Sequence, residues 1–171
     1  MTNPTRYSLT IQGHNPAPQG SKAYAGHRYN PKAGRELPVL REESKRVGPW
    51  RQVVTTMARA AGARQRLRAP LDGFLEASMV FIMDPTQTAL REIAKHPLGA
   101  RGVFPATRTY GDVDKLQRST LDGLTDAKVI QDDARVISVR AIKVYPGCFP
   151  RLDRPGAYIR IRHLDPETLA L

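Results

Sequence analysis

Residues 110–136, YGDVDKLQRSTLDGLTDAKVIQDDARV, hold six aspartates: Asp112, Asp114, Asp122, Asp126, Asp132 and Asp133. The protein around them is strongly basic, with 27 Lys and Arg against 16 Asp and Glu and a net charge of +11. Carboxylates brought together repel one another unless a cation sits between them. Hard divalent cations such as Mg2+ take oxygen ligands, usually one or two carboxylates plus water and phosphate oxygens. Acids would weaken simple binding to a polyanion. Set in a basic protein, they point to phosphodiester hydrolysis, where a metal neutralises phosphate charge and lowers the pKa of a bound water. A plainer reading covers two of them: Asp112 and Asp114 flank the expected start of a helix, where backbone N–H groups favour carboxylates. Asp114, Arg118 and Asp122 follow at steps of four and share one helix face, so Arg118 also has a plain reading as their surface partner.

Other chemistries find little support. His14, His27, His96 and His163 show no paired metal spacing, and with Cys148 as the single cysteine a zinc site of the finger type is excluded. No glycine-rich phosphate loop occurs, so no nucleotide cofactor is expected. No apolar run approaches the roughly 18 residues of a membrane span, and the start, MTNPTRYSLTIQG, lacks the apolar region of a signal peptide. With one cysteine, a cytoplasmic location is expected.

The positive charge is concentrated early. The first 68 residues carry 13 of the Lys and Arg but only 3 of the acids. Such a bias suggests a polyanion partner, because cations that neutralise phosphates release counterions. Lys22, Arg28, Lys32 and Arg35, interleaved with Tyr24 and Tyr29, fall in a Pro/Gly-rich stretch, 14–38, which reads mostly as loop. Lys45, Arg51 and Lys115 join them as candidate DNA contacts.

The elements that must position these residues follow from periodicity. YSLTIQG reads as a strand. Val47, Trp50, Val54, Met57 and Ala61 recur at helical spacing, with Gly48 or a residue near Ser44 at the cap and Trp50 in the core. FLEASMVFIM reads as a central strand ended by Asp84-Pro85. Residues 84–111 form a long connection, with room for a short helix at TALREIAKH. A second helix is predicted over 112–125, with Val113, Leu116, Thr120, Leu121 and Leu124 facing inward. RVISVRAIKVY, apolar on both faces, reads as an interior strand. In AYIRIRH, Ile159 and Ile161 point in while Arg160 and Arg162 point out. The order β-α-β-α-β-β gives one α/β domain, a mixed sheet with packed helices.

The segments GDVDKLQRSTLDGL and IQDDARVISVRAIKVY resemble the RusA-type Holliday-junction resolvases, small nucleases of bacteria and their phages. That family carries D-x-D-N, a Lys four residues after the second Asp, another Asp four residues later, and a D-D pair before a Val-rich strand. GHNPAPQGSK and ESKRVGPWRQVV look like its opening loop and first helix, so the resemblance spans about residues 6–162. It implies a RusA-like fold and a Mg2+-dependent endonuclease, with Mn2+ as a substitute, which resolves four-way DNA junctions by paired symmetric nicks. It implies that Asp112, Asp114 and Asp133 are the catalytic, metal-binding carboxylates, with Asp122 and Asp132 at accompanying acidic positions. A homodimer and a bacterial cytoplasm, in a host or phage setting, are also implied. Lys115 replaces the usual Asn, and Arg118 stands where a catalytic Lys is expected. Arginine keeps its charge, so Arg118 would clamp phosphate rather than act as a base. The alternatives are a DNA-binding protein without catalysis, or a nuclease for other branched DNA such as flaps or forks.

Overall fold

A computed structural model describes residues 6–20, 22–42, 44–149 and 152–164. The main sheet has four strands: β1 (Arg6–Gln12), β4 (Leu75–Ile82), β5 (Val136–Val144) and β6 (Gly156–His163). Their spatial order is β1-β6-β4-β5. β6 is antiparallel to both neighbours, whereas β4 and β5 run parallel, so the sheet is mixed. Two longer helices, α1 (Val47–Arg64) and α3 (Val113–Asp126), pack against each other. A short helix, α2 (Gln87–Lys95), lies in the connection from β4 to α3.

One face of the sheet is the core face. Tyr7, Leu9 and Ile11 of β1, Ala77 and Met79 of β4, and Ile159 and Ile161 of β6 are buried there with Trp50, Val54, Leu116 and Leu124 from the helices. Alternation along β1 and along most of β4 and β6 turns the remaining side chains to the opposite face, which among the described residues neither α1 nor α3 covers. Trp50 is in the core as expected, donating its indole N–H to Thr120 Oγ1 at 3.1 Å. The cap of α1 is Arg46 rather than Gly48.

Two expectations are corrected. Residues 14–38 are not mostly loop: β2 (Lys22–Asn30) and β3 (Arg35–Glu42) form a separate antiparallel hairpin. Asn30 Oδ1 accepts from the N–H groups of Lys32 (2.9 Å) and Ala33 (3.2 Å), which closes the turn, and Gly34 takes the left-handed conformation with φ of 62°. The hairpin lacked a strand signature because it pairs chiefly with itself and so has no buried face to enforce alternation. Within 84–111, the short helix expected at TALREIAKH is present as Gln87–Lys95, capped by Thr86, whose side chain accepts from Ala89 N, and two single 3-10 turns follow it. Finally, β5 is an edge strand, not an interior one. Ile137, Val139 and Ile142 remain exposed, at 53%, 38% and 46%. Apolar residues on both faces signal a strand with two apolar sides, but they do not say which strands lie beside it.

Candidate nucleic-acid and metal site

α3 positions the acids, and its own place is set by α1. Gly123 lies where α1 crosses: a Cβ there would sit 2.8 Å from Val54 Cγ1 and 3.3 Å from the Arg51 carbonyl oxygen. Thr55 Oγ1 donates to the Gly123 carbonyl at 3.2 Å at the same crossing. Gly123→Ala should therefore destabilise the fold by about 1–3 kcal/mol, the usual cost of overpacking, as read by urea denaturation. At the other end of α3, Lys143 Nζ donates to the Gly111 carbonyl at 2.7 Å and ties the helix entrance to the far end of β5.

This topology spreads the aspartates along the helix. Asp112 is the N-cap residue and Asp114 lies in the first turn; both are exposed. Asp122 is two turns further on, roughly 12 Å along the axis at 1.5 Å per residue. β5 returns alongside α3, so the turn that feeds it, with Asp132 and Asp133, lies toward the helix's C-terminal half. The field of Asp133 reaches Asp122 there. Among the described residues no three His, Cys, Asp or Glu side chains converge to hold a metal ion. The expected trio Asp112, Asp114 and Asp133 is thus not gathered into one cage. The donor chemistry still fits Mg2+, which commonly binds through one or two carboxylates and fills its shell with water and phosphate oxygens. Asp112 and Asp114, two residues apart and both exposed, are available for that purpose.

Each remaining candidate finds a distinct place. Lys115 Nζ pairs with Asp112 Oδ2 at 3.3 Å, one helical turn back. Arg51, expected on the DNA face, instead reaches across from α1 to Asp122 (3.3 Å) and Asp126 (3.7 Å). Arg118 is exposed, and Asp122 takes Arg51 rather than Arg118 as its ion-pair partner. Asp132 caps the turn before β5, accepting from Ala134 N at 2.8 Å, which is a structural task. Arg28, Lys32 and Arg35 lie exposed on the hairpin with Tyr24 and Tyr29, and Lys45 is exposed before α1. The side chain of Lys22 lies outside the described residues, although its backbone begins β2. The Arg51–Asp122 link joins residues 71 positions apart in the sequence, and no local spacing announces it.

Burial pushes the Asp122 carboxyl above the ordinary carboxylate range; Arg51 and Arg118 oppose the shift, and Asp133 and Asp126 add to it. A carboxyl raised in the folded state binds its proton more readily there than when unfolded, so stability falls as pH rises through that window. Asp122→Asn should raise Tm near neutral pH and match the parent near about pH 2, where both forms are neutral. Thermal melts across pH check this.

Among the described residues no helix is long and apolar enough to cross a membrane. No curated protein matches the sequence. The family model described as endodeoxyribonuclease RusA matches residues 22–162, a span that takes in the hairpin, both long helices and the last three strands of the sheet. With most of its length matched, the chain belongs to the RusA endodeoxyribonuclease family.

Proposed function

We propose that the protein is a Mg2+-dependent, structure-selective endonuclease that resolves four-way DNA junctions by paired nicks, working as a homodimer in the bacterial cytoplasm. The observation that carries this reading is the placement of Asp112 and Asp114, exposed at the start of α3 in a strongly basic member of an endodeoxyribonuclease family. A bound Mg2+ would supply charge neutralisation at the scissile phosphate and a water of lowered pKa. Asp112 and Asp114 would hold that ion, with water and phosphate oxygens filling the rest of its shell. Lys115 holds the Asp112 carboxylate in place. Arg118, one turn beyond Asp114, offers a fixed positive charge to a phosphate oxygen and takes no proton. The hairpin's Arg28, Lys32 and Arg35 grip the backbone, while Tyr24 and Tyr29 offer faces for stacking on unpaired bases. Two-fold symmetry suits a four-way junction because each protomer meets an equivalent phosphate.

One observation favours a second reading, a junction-binding protein without catalysis. The Lys115 ammonium already engages one Asp112 oxygen at 3.3 Å. Cleavage of a labelled four-way junction beside a linear duplex of the same sequence, with Mg2+ and with EDTA, separates the two. Symmetric nicks on the junction alone, lost in EDTA, support the nuclease. Tight junction binding without cleavage in Mg2+ or Mn2+ supports the binding protein.

A further inference from the structure

The face of the sheet turned away from α1 and α3 has its own order. Strand register places Ser8, Arg160, Ser78 and Arg140 side by side, one from each of β1, β6, β4 and β5. The neighbouring row, in the same strand order, is Arg6, Arg162, Glu76 and Ser138. Glu76 is the one acid in these two rows, and Arg162 engages it at 2.8 Å. Arg6, Arg140 and Arg160 form no ion pair among the described residues. The other end of this face is apolar and covered: Phe149 and Leu152 pack there against Val80, Ile82, Val144 and Tyr158. Among the described residues the basic end is the open one.

We propose that this open end is a second DNA-binding surface, which holds the phosphate backbone of a duplex segment other than the one at α3. The proposal rests on the endonuclease reading and adds to it a physical source of branch selectivity. The backbone positions that carry arginines two strands apart are separated by roughly 9.5 Å, and residues two apart on one strand by roughly 6.8 Å. Held on rigid strands, they repel one another until a polyanion lies across them, and their forks match phosphate oxygens bidentately. Ser8 and Ser138 at the ends of the rows offer hydroxyls, the usual neutral partners of phosphate, while Ser78 is engaged by Glu76. A second copy of the chain docking face to face would set arginine row against arginine row, so charge favours nucleic acid over self-association. The helices of the catalytic layer lie on the opposite face of the sheet. A straight duplex lying on α3 therefore does not also cover this row, and the two surfaces take two separate segments. The arms of one branched molecule provide them.

The test uses the double variant Arg140→Gln/Arg160→Gln in the full chain, with binding measured in EDTA so that cleavage does not intervene. The variant should show a slope of log affinity against log salt that is shallower by about 2 on the junction, since each phosphate left without its arginine lowers the slope by about 0.9. Its preference for a four-way junction over a linear duplex should fall at the same time. The parent's slope and preference, retained in a folded variant, overturn the proposal. Altered oligomeric state in light scattering, with DNA binding intact, overturns it in favour of a protein partner on this face. If the variant does not fold, the parent decides: arginine-directed labelling with phenylglyoxal, read by mass spectrometry, should show Arg140 and Arg160 protected by the junction. Equal labelling with and without DNA overturns it. The nuclease reading fails separately, through absence of cleavage by the parent in Mg2+.

Discussion

Asp114→Asn should leave junction binding intact or slightly tighter while removing cleavage, with a rate loss on the order of 10³-fold. The side chain is exposed in the first turn of α3 and makes no ion pair among the described residues, so its loss disturbs no packing. The helix gives up only the dipole interaction of one carboxylate, about 0.3–1 kcal/mol. Binding gains because one negative charge leaves the neighbourhood of the phosphate. Cleavage loses the charge that would hold the metal, and a Lewis acid in phosphoryl chemistry is worth several kcal/mol, each about 1.4 kcal/mol being tenfold in rate. Single-turnover cleavage beside a binding titration makes both measurements. Asp122→Asn is the internal control: burial disfavours that carboxylate's charge more than Arg51 favours it, so its removal should raise Tm near neutral pH while cleavage persists. Cleavage by Asp114→Asn at the parent's rate would remove the start of α3 from the catalytic centre.

The second large effect lies in the hairpin. Replacing Arg28, Lys32 and Arg35 together by Gln should weaken junction binding by roughly tenfold or more and make the salt slope shallower by about 3, one step of about 0.9 for each phosphate they neutralise. Stability should hardly change, because the three side chains are exposed and the hairpin pairs chiefly with itself. Titration at several salt concentrations, with Tm alongside, gives both numbers. An unchanged slope would mean that β2 and β3 do not face DNA. Because the hairpin and the sheet rows are far apart in the chain, combining this triple variant with the Arg140/Arg160 pair shows whether their contributions add.

The main elements were legible wherever burial imposed a period. α1 and α3 show their inward stripes, and Ile159 and Ile161 of β6 lie at 0% exposure while Arg160 and Arg162 point out, as their alternation requires. The hairpin was not legible, because strands that bury neither face carry no period-2 pattern. The edge position of β5 was hidden for another reason: side-chain pattern reports which faces are apolar, and strand order is a property of the whole chain. At the site, the aspartates themselves were readable from spacing. The place of Asp132 and Asp133 beside the C-terminal half of α3 was not, since it depends on β5 returning beside the helix. Arg51 looked like a DNA contact because it lies opposite the apolar stripe of α1, yet that flank meets α3 at Gly123 and is drawn to Asp122 and Asp126.

The strand order β1-β6-β4-β5 also sets a timetable for synthesis. Among the described residues β1 pairs only with β6, the last strand of this sheet to be made: Tyr7 lies against Ile161, and Ile11 against Ala157. Chains grow from the N-terminus at about 5–20 residues per second, and non-local pairings close late. α1, β4, α3 and β5 can assemble while β1 still has no strand beside it and only α1 to pack on, because β6 must emerge and slide in between β1 and β4. Until then Tyr7, Leu9 and Ile11 lack the strand that seats them. A nascent or truncated chain that ends before residue 156 holds the acids of α3 and the basic hairpin, yet it lacks the strand that joins the two ends of the fold. For a protein that cuts DNA, maturation is thereby tied to completion of the sheet itself.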